Sequence, residues 1–179
     1  FLFNKSAPHD ISNLRLNNKF TIVYAGALQP YNCINTMLDY MQICNDSDTE
    51  LILVGNAPNV DLLGKVKSAI MCDNRIKYVG LVSQSELKTI YAKASVLLCL
   101  RDESYPLMRY HFPSKIFELI ETGKPVIASD TGHLKEKYGQ FIHVIDKPDA
   151  QSLVDAIRTI KCNASNAATW KWMMHLILW

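Results

Sequence analysis

From Phe20 onward, short apolar runs alternate with longer amphipathic ones. FTIVYAG precedes YNCINTMLDYMQIC, ELILVG precedes NVDLLGKVKSAIM, and RIKYVG precedes SQSELKTIYAKA. The short runs suit buried strands, and the longer ones repeat their apolar positions at helical spacing, so the pattern predicts β-α-β-α-β-α. The alternation continues through SVLLCL, the helix PSKIFELIETG, the strand PVIAS, the helix HLKEKYG, the strand FIHVI and the helix DAQSLVDAIRTI. Strands separated by helices pair in parallel. The expected class is therefore α/β, a Rossmann-like open parallel sheet of about six strands with helices on both faces.

Helix starts carry their own marks: Ser83 and Ser85 precede SELKTIYAKA, and Asp149 precedes the final regular helix, each with a side chain able to accept from a free helix N–H. Pro113 and Ser114 open the helix that runs to Thr122, and Gly123 closes it. The first three strands end in Gly26, Gly55 and Gly80. A glycine there either makes the turn or admits a ligand to the backbone. Outside the alternation, residues 1–19 mix Asn, Ser, Pro and Lys and read as a linker or N-terminal extension, residues 20–161 as the domain, and residues 162–179 as an apolar, helical tail. Phe1 stands where an initiator Met would, as expected of a chain that begins within a longer protein.

Composition adds constraints. With 49% hydrophobic residues in 179, the chain has material for a sizeable core. A formal net charge of +2 gives no field that argues for nucleic acid, which is not an expected partner. Cys33, Cys44, Cys72, Cys99 and Cys162 are scattered, with no C-x-x-C pair and no histidine at zinc spacing, so a reducing, cytoplasmic setting and no metal are expected. No stretch reaches the ~18 apolar residues needed to cross a bilayer.

In such a sheet the strand carboxyl ends and helix amino ends share one edge, which favours phosphate. The loop GALQPYN is not G-x-G-x-x-G, and no acid ends the second strand, which counts against NAD. The most informative stretch is YHFPSKIFELIETGKPVIASD, where Lys115 and Glu118 fall one turn apart. A lysine there meets a phosphate and a carboxylate accepts from vicinal ribose hydroxyls. The same spacing also describes an ordinary surface pair worth ~0.3–0.5 kcal/mol. The histidines His9, His111, His133, His143 and His175 are far apart in sequence and form no catalytic constellation.

VYAGAL, ELILVGNAP, RIKYVGLVSQSEL, YAKASVLLCL and FELIETGKPVIASDTGHLKE, in this order, resemble the C-terminal, donor-binding domain of retaining glycosyltransferases of the glycosyltransferase-B fold (group 1, family 4-like). The resemblance covers about Phe20 to Ile160 and implies half of that fold, with a nucleoside diphosphate sugar as substrate and no metal or other cofactor. Glu118 matches the second Glu of the family's paired-glutamate motif, which holds the ribose. Tyr110 stands eight residues earlier where the first is expected, so that member is absent or displaced to Asp102 or Glu103. The basic residue the family carries in its first loop is replaced by Gln29, Tyr31 and Asn32, leaving Lys115 and then Arg109 as the substitutes. The implied donor-binding set is Gly26, Ala27, Gly55, Leu81, Val82, Arg109, Ser114, Lys115 and Glu118, with Leu81 and Val82 framing the base.

The resemblance implies transfer of a sugar to an acceptor hydroxyl in bacterial surface polysaccharide synthesis (capsule or lipopolysaccharide). Its partners are the nucleotide-sugar donor and an N-terminal acceptor-binding domain without which this chain is inactive. It also implies a cytoplasmic enzyme with peripheral association at the inner membrane face. The Trp-rich tail around Trp170, Trp172 and Trp179 is expected to make homodimer contacts, to be disordered, or to pack on its own sheet. Two alternatives share the fold: a sugar-nucleotide 2-epimerase half and a non-catalytic, degenerate transferase domain.

Overall fold

Strands buried on both faces read as near-continuous apolar runs, and the strands here are interrupted by polar side chains only at Thr21, Thr49, Glu50, Lys77, Ser129 and His143. The computed structural model describes residues 19–106, 108 and 113–164. Its elements are β1 (Phe20–Ala25), α1 (Ile34–Ile43), β2 (Thr49–Val54), α2 (Val60–Cys72), β3 (Ile76–Gly80), α3 (Gln84–Lys93), β4 (Val96–Cys99), α4 (Lys115–Glu121), β5 (Val126–Ser129), α5 (Leu134–Tyr138), β6 (His143–Ile145) and α6 (Ala150–Ala164). All strand pairs are parallel, in the order β3-β2-β1-β4-β5-β6. The expected six-stranded parallel sheet is thus observed. α6 runs past the expected end of the domain at residue 161, and the rest of the tail lies outside the described residues.

Alternate strand residues divide the core in two. Ile22, Tyr24, Leu51, Leu53 and Leu98 pack with α1, α2 and α6 on one face. Val23, Ala25, Ile52, Val54, Leu97 and Cys99 pack with α3, α4 and α5 on the other. The chain leaves β3 at one edge and returns beside β1 as β4, pairing Ile22 with Val96 and Tyr24 with Leu98. The loops after β1 and β4 then lead to opposite faces of the sheet, and a crevice opens between them.

Helix ends follow local chemistry. Ser83 accepts from Glu86 N–H while Glu86 accepts from Ser83 N–H, closing a capping box on α3. Glu86 therefore serves its own helix. Asp149 Oδ1 accepts from Ser152 N–H at 2.8 Å, as its place before α6 predicted. Arg75 closes the other end of α1, donating to the carbonyls of Met41 and Cys44 at 2.8 and 2.7 Å. Among the described residues no helix is long and apolar enough to cross a membrane.

One tether yields a pH prediction. Lys161 on α6 donates to Asp46 Oδ2 at 2.5 Å, and Asp48 N–H donates to Oδ1 at 2.9 Å, which holds the Asp46 carboxyl down at about 2. A carboxyl with a folded pKa below its ordinary 3.8 contributes stability that is complete above that value and lost as pH falls through about 2. Its side chain is 44% exposed, so screening limits the contribution to ~0.2–1 kcal/mol. Asp46→Asn is expected to unfold at lower denaturant than wild type at pH 7, with the two midpoints converging near pH 2. A constant gap across that range would disprove this role.

Candidate functional site

At the carboxyl ends of β1 and β4 lies a cleft of about 220 Å³, lined on one side by Tyr24, Gly26, Ala27 and Asn32 and on the other by Cys99, Arg101 and Lys115. Gly26 forms its floor, where an added Cβ would stand 2.8 Å from Tyr24 Oη. The turn beyond is tied down by burial and hydrogen bonds. Leu28 is fully buried and its N–H reaches Asn56 O at 2.8 Å, while Ala27 O accepts from Tyr24 Oη at 3.0 Å and from Asn32 Nδ2 at 2.7 Å. A single 3-10 turn, Pro30–Asn32, carries Asn32 inward at 3% exposure, and Cys33, left-handed at φ 56°, redirects the chain into α1.

The β4 side supplies cations. Arg101 N–H donates to Ser129 Oγ at 2.7 Å, fixing the strand end against β5. Its Nη1 donates to Asn32 Oδ1 and, at 3.3 Å, to Leu100 O. Lys115 opens α4, 3.8 Å from Glu118 Oε2. Two cations therefore line the cleft without a carboxylate among its lining residues. Asp102, next to Arg101, accepts instead from Ser104 N–H at 2.9 Å.

The neutral groups stay neutral. Burial pushes the Tyr24 phenol well above its ordinary range, further than Arg101 lowers it. Burial raises the Cys99 thiol, and lifts the Cys33 thiol to about 12, so neither is a thiolate near neutrality. The chemistry on offer is binding and neutralisation of an anion.

Of the predicted residues, the fold brings Gly26, Ala27 and Lys115 to this cleft. Glu118, one turn from Lys115, lines an adjoining groove of about 320 Å³ between α3 and α4, with Gln84, Leu87 and Tyr91. Ser114 precedes α4 in helical geometry and makes no capping bond with its side chain. Leu81 (66% exposed) and Val82 follow edge strand β3, two strands from β1. Gly55 meets protein in place of a ligand, with the Gly26 carbonyl occupying the space of its missing side chain. Arg109, like Tyr110 and His111, lies outside the described residues. Sequence reasoning missed Arg101 and the role of Asn32. The available signal was a basic residue directly after SVLLCL, at a strand's carboxyl end.

The family model described as Glycosyl transferases group 1 matches residues 7–171. No curated protein sequence matches the chain. Among solved structures, Anabaena Alr3699/HepE in complex with UDP and glucose superposes with a TM-score of 0.73 at 23% identity, over 92% of this chain and 46% of that one. The C-terminal domain of the group 1 family protein LpcC from Francisella tularensis gives 0.68 at 16% identity, over 90% and 85%. AviGT4, a glycosyltransferase involved in avilamycin A biosynthesis, gives 0.60 at 15%, over 84% and 44%. These likenesses establish a shared fold. The chain spans about half the length of the Anabaena protein and most of the isolated LpcC domain.

Proposed function

The chain belongs to the glycosyl transferases of group 1, and from that premise we propose that it is the donor-binding half of an enzyme moving a sugar from a nucleoside diphosphate to an acceptor hydroxyl. The observation that carries this reading is the crevice between β1 and β4, lined by Arg101 and Lys115 and, among the described residues, by no carboxylate, with Glu118 one helical turn from Lys115. When the bond from sugar to diphosphate breaks, both electrons remain on the diphosphate oxygen. Fixed cations beside that oxygen lower the barrier by up to several kcal/mol, with no divalent metal required. Lys115 and Ser114 meet the phosphates, the glycine-lined floor at Gly26 and Ala27 admits the sugar-phosphate, and Glu118 accepts from the vicinal ribose hydroxyls. Leu81 and Val82 frame the base from the β3 side.

The UDP and glucose bound by the Anabaena relative make a uridine donor the first to test. An N-terminal half supplies the acceptor and the base that takes its proton, and this chain alone turns over little. A place in surface polysaccharide synthesis rests on the family resemblance of FELIETGKPVIASDTGHLKE. Calorimetric titration of the chain with UDP, GDP and ADP tests the reading. One nucleotide is expected to bind in the micromolar to millimolar range, with affinity roughly tenfold or more lower in Lys115→Ala and in Glu118→Ala. Failure of all three nucleotides to bind wild type would overturn it.

A further inference from the structure

We infer that Arg101, just beyond the end of β4 and gripped by Asn32 of the first loop, neutralises the donor's diphosphate alongside Lys115 in this chain. The inference rests on the donor-binding reading above. The loop after β1 has no basic residue of its own, only Gln29, Tyr31 and Asn32 in its polar positions. Across the sheet order that loop meets the end of β4, and Arg101 reaches it from there.

The grip is directional. Asn32 donates Nδ2–H to Ala27 O at 2.7 Å, which turns its Oδ1 toward the guanidinium; the reverse amide orientation would set two donors against each other. Arg101 is anchored at its backbone by Ser129 Oγ, and its Nη1 donates to Asn32 and Leu100. Its Nε–H is buried and has no hydrogen-bond partner among the described residues. No carboxylate forms an ion pair with it among those residues. The Tyr24 hydroxyl beside it stays protonated and gives no counter-charge.

A guanidinium keeps its charge at any ordinary pH, and removing it from water without an anion is costly. The Nε–Nη2 edge is the one that meets two oxygens of a phosphate side by side. Arg101 is thus held through Nη1, has a buried Nε without a partner among the described residues, and stands in a cleft whose described lining residues include no carboxylate. A diphosphate supplies the negative charge. The first loop contributes a carboxamide to hold the cation, while β4 contributes the cation itself.

Titration of the full chain with UDP, GDP and ADP, and with the matching nucleosides, tests the assignment in Arg101→Gln and Arg101→Lys. Arg101→Gln is expected to weaken the diphosphate that wild type binds by roughly tenfold or more, and to leave nucleoside binding unchanged. Arg101→Lys, which keeps the charge without the planar fork, is expected to fall between the two and carries the test if the glutamine variant does not fold. Equal weakening of nucleoside and diphosphate would mark Arg101 as structural and overturn the assignment. Undiminished diphosphate binding in either variant, with binding still lost in Lys115→Ala, would overturn it while leaving the donor-binding reading intact. Wild type that takes none of the three nucleotides overturns that reading, and this inference with it.

Discussion

Gly55→Ala is expected to destabilise the domain by about 3 kcal/mol or more, or to prevent folding, although the added group is one methyl. A Cβ at Gly55 would stand 1.9 Å from the Gly26 carbonyl oxygen and 2.7 Å from its carbonyl carbon. Both are backbone atoms, so no side-chain rotation relieves the clash. The backbone at Gly55 also has φ 131°, a conformation that residues with a Cβ rarely adopt. The glycine turns are stitched together across the sheet: Gly26 N–H reaches Val54 O at 2.9 Å and Gly55 N–H reaches Gly80 O at 2.7 Å. Strain at Gly55 therefore shifts the floor of the candidate site. Denaturant midpoints check this, with Gly64→Ala as the comparison. Gly64 lies within α2 with nothing within 4 Å of its would-be Cβ, so alanine there is expected to be neutral or to stabilise by up to ~1 kcal/mol. Equal midpoints for the two variants would refute the close-approach explanation.

Lys77→Met is expected to cost about 2–4 kcal/mol, because it strands a carboxylate inside the sheet. Glu50 on β2 is 2% exposed and accepts from Thr21 Oγ1 at 2.9 Å and from Lys77 Nζ at 2.7 Å. Lys77 sits on β3 with its side chain 29% exposed, so its own desolvation is modest while the carboxylate depends on it. Removing the lysine leaves one hydroxyl to solvate a buried charge. The double variant Glu50→Met with Lys77→Met removes both charges, and Thr21 Oγ1 keeps its second partner, Lys19 O at 3.3 Å. That pair of changes is expected to recover most of the loss, since two apolar groups tolerate burial better than one unpaired ion. A double-mutant cycle by chemical unfolding reads this directly. A single Lys77→Met variant within ~0.5 kcal/mol of wild type would mean that water or backbone already solvates Glu50.

Much of the fold was legible because its causes are local. The continuous apolar runs at β1, β2 and β4 announce strands covered on both faces, and the Ser83–Glu86 spacing announces the start of α3. Spacing singled out Lys115 and Glu118, and the structure has their charged groups 3.8 Å apart. Of the two readings of Gly55, a turn or an opening for a ligand, the geometry favours the turn, with the Gly26 carbonyl standing where its side chain would be. Lys115 lines the cleft with Arg101 and Asn32, while Glu118, 3.8 Å from it, lines the groove against α3.

By itself the amino-acid sequence determined the elements, their order and the parallel sense of the sheet. Apolar period, caps and glycine turns act over a few residues, and helical crossovers leave strands parallel. Only the tertiary structure decided which strand ends became neighbours. The reversal of order between β1 and β4 brings Arg101 against Asn32, 69 positions apart, and sets a cation beside a loop that has none. No local pattern encodes that contact. It follows from how the sheet edges are filled, and a basic residue at a strand end reads as a solvated charge until the chain that holds it is folded alongside.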